Sequence, residues 1–122
     1  MAYHIFTTRK VILTTEMNDT ETNMMIDWQK QTDLQAKTDD LYDTYAGLAE
    51  ANDDGALTQA QQLAFSRDLT KLSNDEDKLE REIQLLETKY SEKSQELTKV
   101  EEQEKTAIEQ DEPNYAGAGG NK

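Results

Sequence analysis

Apolar residues recur along almost the whole chain in alternating steps of three and four. This spacing of about 3.5 residues keeps one face of an α-helix turned toward a partner helix and is typical of a coiled coil. We call the positions of this repeat the seam. After a break at 52–55, its apolar members are Phe65, Leu69, Leu72, Leu79, Ile83, Leu86, Tyr90, Leu97, Val100 and Ala107. Before the break they are Tyr3, Phe6, Leu13, Met17, Met24, Leu34, Leu41, Tyr45 and Leu48.

The break has the chemistry of a turn between two helices. Asn52-Asp53-Asp54-Gly55 is a turn sequence, because glycine can take a positive φ and Asn or Asp hydrogen-bonds its own backbone. Thr58 followed by Gln61 reads as a capping box that opens the next helix. A similar pattern at Ser73 could split that helix, but the seam stays in phase across it and favours continuity.

The predicted fold is therefore an all-α antiparallel two-helix coiled-coil hairpin. We expect a first long helix over 1–50, an acidic turn over 51–57, a second long helix over 58–110, and a disordered C-terminal tail over 111–122. Residues 1–15 are rich in β-branched side chains, which favour strands locally. Their seam positions remain in phase with the helix that follows, so helix is the prediction there as well.

Composition narrows the possible partners. The chain has 26 acidic and 13 basic residues, a formal charge of −13, and 34% hydrophobic residues. The charge disfavours nucleic acid and anionic membrane surfaces as partners, because both would be repelled. No apolar run is long enough to span a bilayer, and the N-terminus lacks the continuous apolar segment of a secretory signal. We therefore expect no membrane insertion and a protein made in the cytoplasm. Export without a cleaved signal stays open.

A second apolar stripe on the first helix is the main candidate for a functional surface. Its members lie outside the seam: Ile5, Val11, Ile12, Met25, Ile26 and Trp28. Since a two-helix hairpin buries one side of each helix, this stripe predicts a surface that binds a protein partner, either a second copy or another helical protein. The alternative is that the N-terminal segment folds back and covers the stripe itself.

Polar seam residues suggest a layer that sets the pairing of the helices. Antiparallel pairing about a turn at 53–54 brings Gln31 near Glu76. A polar layer of this kind can fix the register of a coiled coil at some cost in stability. A loose, hydrated spot in the seam is an equally good interpretation.

Residues 50–61 resemble a degraded EF-hand calcium loop. Asn52 and Asp54 match its third and fifth positions and Gly55 its sixth, but Gln61 stands where the family has a bidentate glutamate. The resemblance implies weak calcium ligands at Asn52 and Asp54. An acidic turn between helices is the favoured interpretation, and we expect neither a metal site nor a cofactor.

Enzymatic activity is not expected. Catalytic carboxylates need a pocket that shifts their pKa values, and His4 stands alone in a terminal segment. The sequence predicts a structural or interaction protein that self-associates or docks through its N-terminal helix, of the kind found in secretion or filament apparatus and in phage assemblies. The alternatives are a small coiled-coil chaperone or adaptor of an export machine and a calcium-responsive module.

Overall fold

A computed structural model describes the backbone of residues 2–118 and the side chains of residues 5–110. Within this part of the chain there are two helices and no strand: α1 spans Ala2–Ala51 and α2 spans Gln59–Ala118. The two helices pack against each other, which confirms the predicted all-α hairpin. The β-branched N-terminal segment belongs to α1, because its seam side chains pack in phase with the rest of the helix.

The start of α2 differs from its predicted position by one residue and its end by eight. The helix begins at Gln59 and runs without a break past Ser73, as expected, and it ends at Ala118 instead of residue 110. Residues 109–112 are Glu, Gln, Asp and Glu, and Glu and Gln favour helix strongly enough to carry it beyond the end of the apolar repeat. The last part of the predicted tail, 119–122, lies outside the described residues.

The turn between the helices is held by its own polar groups. Gly55 has φ of +69°, the positive value expected of a turn glycine. The Gln61 N–H donates to Thr58 Oγ1 at 3.2 Å and the Thr58 N–H donates to Gln61 Oε1 at 2.9 Å, which is the predicted capping box. The Asn52 amide also donates to Gln61 Oε1, at 2.8 Å. These bonds satisfy donors that the helix ends would otherwise leave unpaired.

The seam predicted from the apolar repeat is the buried side of both helices. Every one of the thirteen predicted seam positions of α2, from Phe65 to Ala107, is buried or half-buried. The same is true of α1 from Phe6 to Leu48 except at Gln31 and Leu48, which are exposed. The buried apolar residues are Leu13, Met24, Leu79, Ile83 and Val100, of which Leu13 is fully buried.

Two polar side chains are buried in the seam of α1. Asp27 is 2% exposed and Thr20 is 4% exposed. The Thr20 hydroxyl donates to the Glu16 carbonyl at 2.8 Å, so its burial is satisfied within the helix. The two residues of the predicted polar layer differ in burial: Gln31 is exposed and Glu76 is half-buried. Their pairing stays a prediction.

The hairpin divides into two compact units. The terminal unit comprises Met1–Asn23 and Leu86–Lys122, and the turn unit comprises Met24–Leu85. Each contains a stretch of α1 packed on a stretch of α2. The candidate surfaces below are described unit by unit.

Candidate interaction surfaces

The N-terminal stripe is exposed in the terminal unit. Ile5 is 71% exposed, Val11 60% and Ile12 42%, while Leu13, which directly follows Ile12, is completely buried. We call Ile5, Val11 and Ile12 the N-terminal patch. Ile5 and Ile12 are seven residues apart and so lie on the same side of α1, away from the seam. The patch is therefore apolar surface that the fold itself does not bury.

A shallow cleft lies within this patch. It is lined by Ile5, Thr8, Arg9 and Ile12. No acidic residue occurs before Glu16 in the chain, so the stretch of α1 around the cleft carries apolar, threonine and basic side chains. A partner side chain that entered this cleft would contact two isoleucines and the stem of Arg9.

Ion pairs hold this stretch of α1 on α2. Arg9 pairs with Glu96, and Lys10 Nζ lies 2.6 Å from Glu104 Oε1. One turn further along, Lys93 Nζ lies 2.6 Å from Glu16 Oε2. These pairs fix which side of α1 faces α2, and with it the outward direction of the N-terminal patch.

The ammonium of Lys93 lowers the pKa of the Glu16 carboxyl from its ordinary value of 4.5, first by hydrogen bonding and then by charge. Burial acts in the opposite direction, and Arg9 and Lys89 add small favourable charge effects. Because the folded pKa lies below the unfolded one, the pair stabilises the fold above the unfolded pKa. That contribution is lost as the pH falls through the folded value.

We expect Glu16→Gln to lower the Tm at pH 7 and to leave it unchanged in acid, below the folded pKa, where Glu16 is protonated in both states. The measurement is thermal unfolding by circular dichroism over a pH series. In a Lys93→Gln background the same substitution should have little effect at any pH, since the partner is gone. A Tm difference that persisted unchanged into acid would rule out the ion pair as its cause.

In the turn unit, the rest of the predicted stripe is also exposed. Met25, Ile26 and Trp28 are each 45% exposed or more, whereas Met24 and Asp27 beside them are buried. All six residues predicted to bind a partner are thus accessible, three in each unit. Whether they bind one stays a prediction.

Sequence reasoning missed further apolar surface in the turn unit. Leu85 on α2 is 71% exposed, Leu63 is 60% exposed, and Tyr42 on α1 is half-exposed. Leu85 directly precedes the seam residue Leu86, so the repeat itself places its side chain off the seam. Its position in the repeat could have identified Leu85 as exposed. A single leucine outside the repeat does not by itself indicate an interface, because the residue that lies beside it depends on the register of the two helices.

An aromatic cluster closes the seam near the turn. Phe65 stacks on Tyr45 with ring centroids 4.8 Å apart and meets Tyr42 edge-on at 5.4 Å. The Tyr45 hydroxyl lies 3.2 Å from Asp68 Oδ2. Partial burial, followed by this hydrogen bond, raises the pKa of Tyr45 above its ordinary value. Packing and one hydrogen bond account for these three aromatic residues.

The EF-hand-like residues serve the turn. The Asn52 amide donates to the Ala56 carbonyl at 2.8 Å, and the Asp54 carboxylate accepts the Ala56 N–H at 3.1 Å. Within residues 5–110, no three His, Cys, Asp or Glu side chains are grouped so that they could hold a metal ion. The described helices also contain no segment long and apolar enough to span a membrane.

The sequence and the structure were compared with known proteins. No protein-family model matches the chain, and neither curated protein sequences nor solved structures gave a match.

Proposed function

We propose that the chain is a non-enzymatic structural or interaction protein. It self-associates, or docks on another helical protein, through the side of α1 that faces away from α2. The observation that carries this proposal is the exposure of Ile5, Val11 and Ile12 on a helix whose opposite side already packs in the seam. Contiguous exposed apolar side chains are costly in water, and in soluble proteins they commonly mark interfaces.

The distribution of charge along the chain also favours the N-terminal segment of α1 as the interface between copies. Two copies that each carry a formal charge of −13 repel one another over most of their surface. The first fifteen residues contain Arg9 and Lys10 and no acid. Contact through this segment therefore brings the least acidic part of α1 to the interface. Components of secretion or filament apparatus and of phage assemblies are settings in which a small hairpin with such a surface is useful.

Removing the N-terminal patch tests the proposal. We expect Ile5→Ser/Ile12→Ser to weaken self-association at least tenfold, because burying one such side chain contributes about 1.5–3 kcal/mol. The measurement is sedimentation velocity over a concentration series, which reports the largest assembled species. The matched control is Thr7→Ser/Thr14→Ser, two exposed positions of α1 with the same spacing of seven residues.

The isoleucine variant and the threonine variant are expected to differ in their sedimentation. The isoleucine variant should lose its largest species at concentrations where the wild type and the threonine variant retain it. If all three proteins sedimented alike over the whole series, self-association through the N-terminal patch would be refuted.

A further inference from the structure

The turn unit contains a groove with charged rims. Its floor is formed by the seam residues Leu34 and Leu79. The rim on α1 consists of Lys30, Asp33 and Lys37, and the rim on α2 consists of Asp75, Lys78 and Glu82. The charges along each rim alternate in sign. The α1 rim begins and ends with a lysine, whereas the α2 rim begins and ends with an acidic residue.

The register of the helices matches these rims level by level. Tyr45 contacts both Phe65 and Asp68, which places residue 45 level with residues 65–68. Because the helices are antiparallel, each residue further back along α1 lies level with residues one position further forward along α2. Residue 30 then lies level with 80–83, residue 33 with 77–80, and residue 37 with 73–76. The rim residues that share a level are therefore Lys30 with Glu82, Asp33 with Lys78, and Lys37 with Asp75.

The same complementarity continues along both helices. Asp40 lies level with Lys71, and Ile26 lies level with Leu85, which is 71% exposed. Four successive levels thus pair opposite charges, and the next pairs two exposed aliphatic side chains. Among the residues on the groove side of the two helices, no level opposes like charges. We call residues 26–40 of α1 and 71–85 of α2, on this side of the hairpin, the groove face.

Pairing within one copy does not account for this pattern. No nitrogen–oxygen distance of 4.0 Å or less joins any of the four charged pairs among the described side chains. Asp33 and Asp40 each directly precede a seam residue, as do Lys78 and Lys71. Such residues lie about 100° around the helix from the seam residue that follows them. Asp33 and Lys78 therefore lie on the outer rims of the groove, within reach of a second chain.

We propose that the groove face binds the groove face of a second copy of this chain. A two-fold axis parallel to the helices would place α1 of one copy on α2 of the other and keep every residue at its level. Lys30 of one copy would meet Glu82 of the other, Asp33 would meet Lys78, and Ile26 would meet Leu85. The interface is isologous, so each favourable contact occurs twice. The paired segments form a four-helix bundle, in which each helix uses a second face about 90° from the seam.

Charge makes a second copy a fitting partner. The groove face carries four lysines and four acidic residues and is neutral, whereas the chain as a whole is strongly acidic. Two copies can therefore approach here without net repulsion. Complementary levels also select one orientation over others, since a shift of one level would oppose like charges.

This dimer is distinct from association through the N-terminal patch and does not rest on it. The test is a charge swap at Asp33 and Lys78, which are exposed and lie off the seam. We expect Asp33→Lys to raise the dimer dissociation constant at least tenfold, because it opposes two lysines at two symmetric places. Lys78→Asp should do the same, and Asp33→Lys/Lys78→Asp should restore the wild-type constant.

The dissociation constants are measured by sedimentation equilibrium, with helix content followed by circular dichroism. Carrying Ile5→Ser/Ile12→Ser in all four proteins removes the N-terminal patch and isolates the groove face. Loss of the dimer in both single variants and its recovery in the double variant, at unchanged helix content, supports the proposal. Equal dissociation constants in all four proteins, a double variant as weak as the single ones, or a patch-free chain that stays monomeric would overturn it.

Discussion

Leu13→Ala is expected to lower the free energy of unfolding by about 2–5 kcal/mol, the range for truncating a buried leucine. Leu13 is 0% exposed, and few other apolar side chains in the seam are fully buried. The loss combines the transfer free energy of the missing methyl groups with the cavity left between the helices. For a small domain of ordinary stability, this is a large fraction of the total.

Urea unfolding followed by circular dichroism at fixed protein concentration measures this effect. Leu63→Ala is the matched control, because it makes the same chemical change at a position that is 60% exposed. We expect the control to change the free energy of unfolding by no more than about 0.5 kcal/mol. Equal losses in the two variants would show that Leu13 is not in a packed seam.

Asp27→Leu is expected to raise the free energy of unfolding, by about 1–4 kcal/mol as in comparable replacements of buried charged residues. Asp27 is 2% exposed, and its Oδ2 has no hydrogen-bond partner among the described residues. Its nearest cation, Lys30, has Nζ 3.9 Å from Oδ1 and a largely exposed side chain. Leucine removes the cost of burying an unsatisfied carboxylate and suits a coiled-coil seam.

Asp27→Asn separates charge from polarity at the same position. It keeps the shape and the buried polar group, so its gain should be smaller than that of leucine. Both are measured by urea unfolding against the wild type. A lower stability for Asp27→Leu than for the wild type would mean that the carboxylate makes favourable interactions that its surroundings do not reveal.

The retention of such a residue has a structural interpretation. Buried polar groups in coiled coils can restrict the pairing of helices to one register. We therefore expect the stabilised Asp27→Leu chain to populate additional oligomeric species. Two effects of one substitution, higher stability and lower specificity, would then be seen in the same protein.

The seam and the turn could be predicted because they depend on local patterns. The position of Phe65 or Val100 in the repeat determines its side of the helix, whatever the partner. The positive φ of Gly55 and the capping box of Thr58 and Gln61 follow from residue type and spacing alone. The exposure of Ile5 and Ile12 follows from the same periodicity, because α1 packs against α2 with one side only and these two residues lie on another side.

Features that depend on register could not be predicted. The pairing of Arg9 with Glu96 and the ion pair between Glu16 and Lys93 depend on shifts of a few residues set by the turn. The sequence placed Gln31 in a polar layer, but in the structure Asp27 and Thr20 are the buried polar residues of α1. A long polar side chain at a seam position can bend out of the seam into the solvent. The hydrophobic pattern does not show which polar side chains do so.

The absolute mass of the full-length chain in solution decides whether the protein self-associates. Light scattering behind a sizing column gives this mass independently of shape. We expect a discrete species of at least twice the chain mass of 13.9 kDa, which dissociates on dilution. A mass of 13.9 kDa at every concentration would contradict this expectation, because neither exposed surface would then bind a second copy.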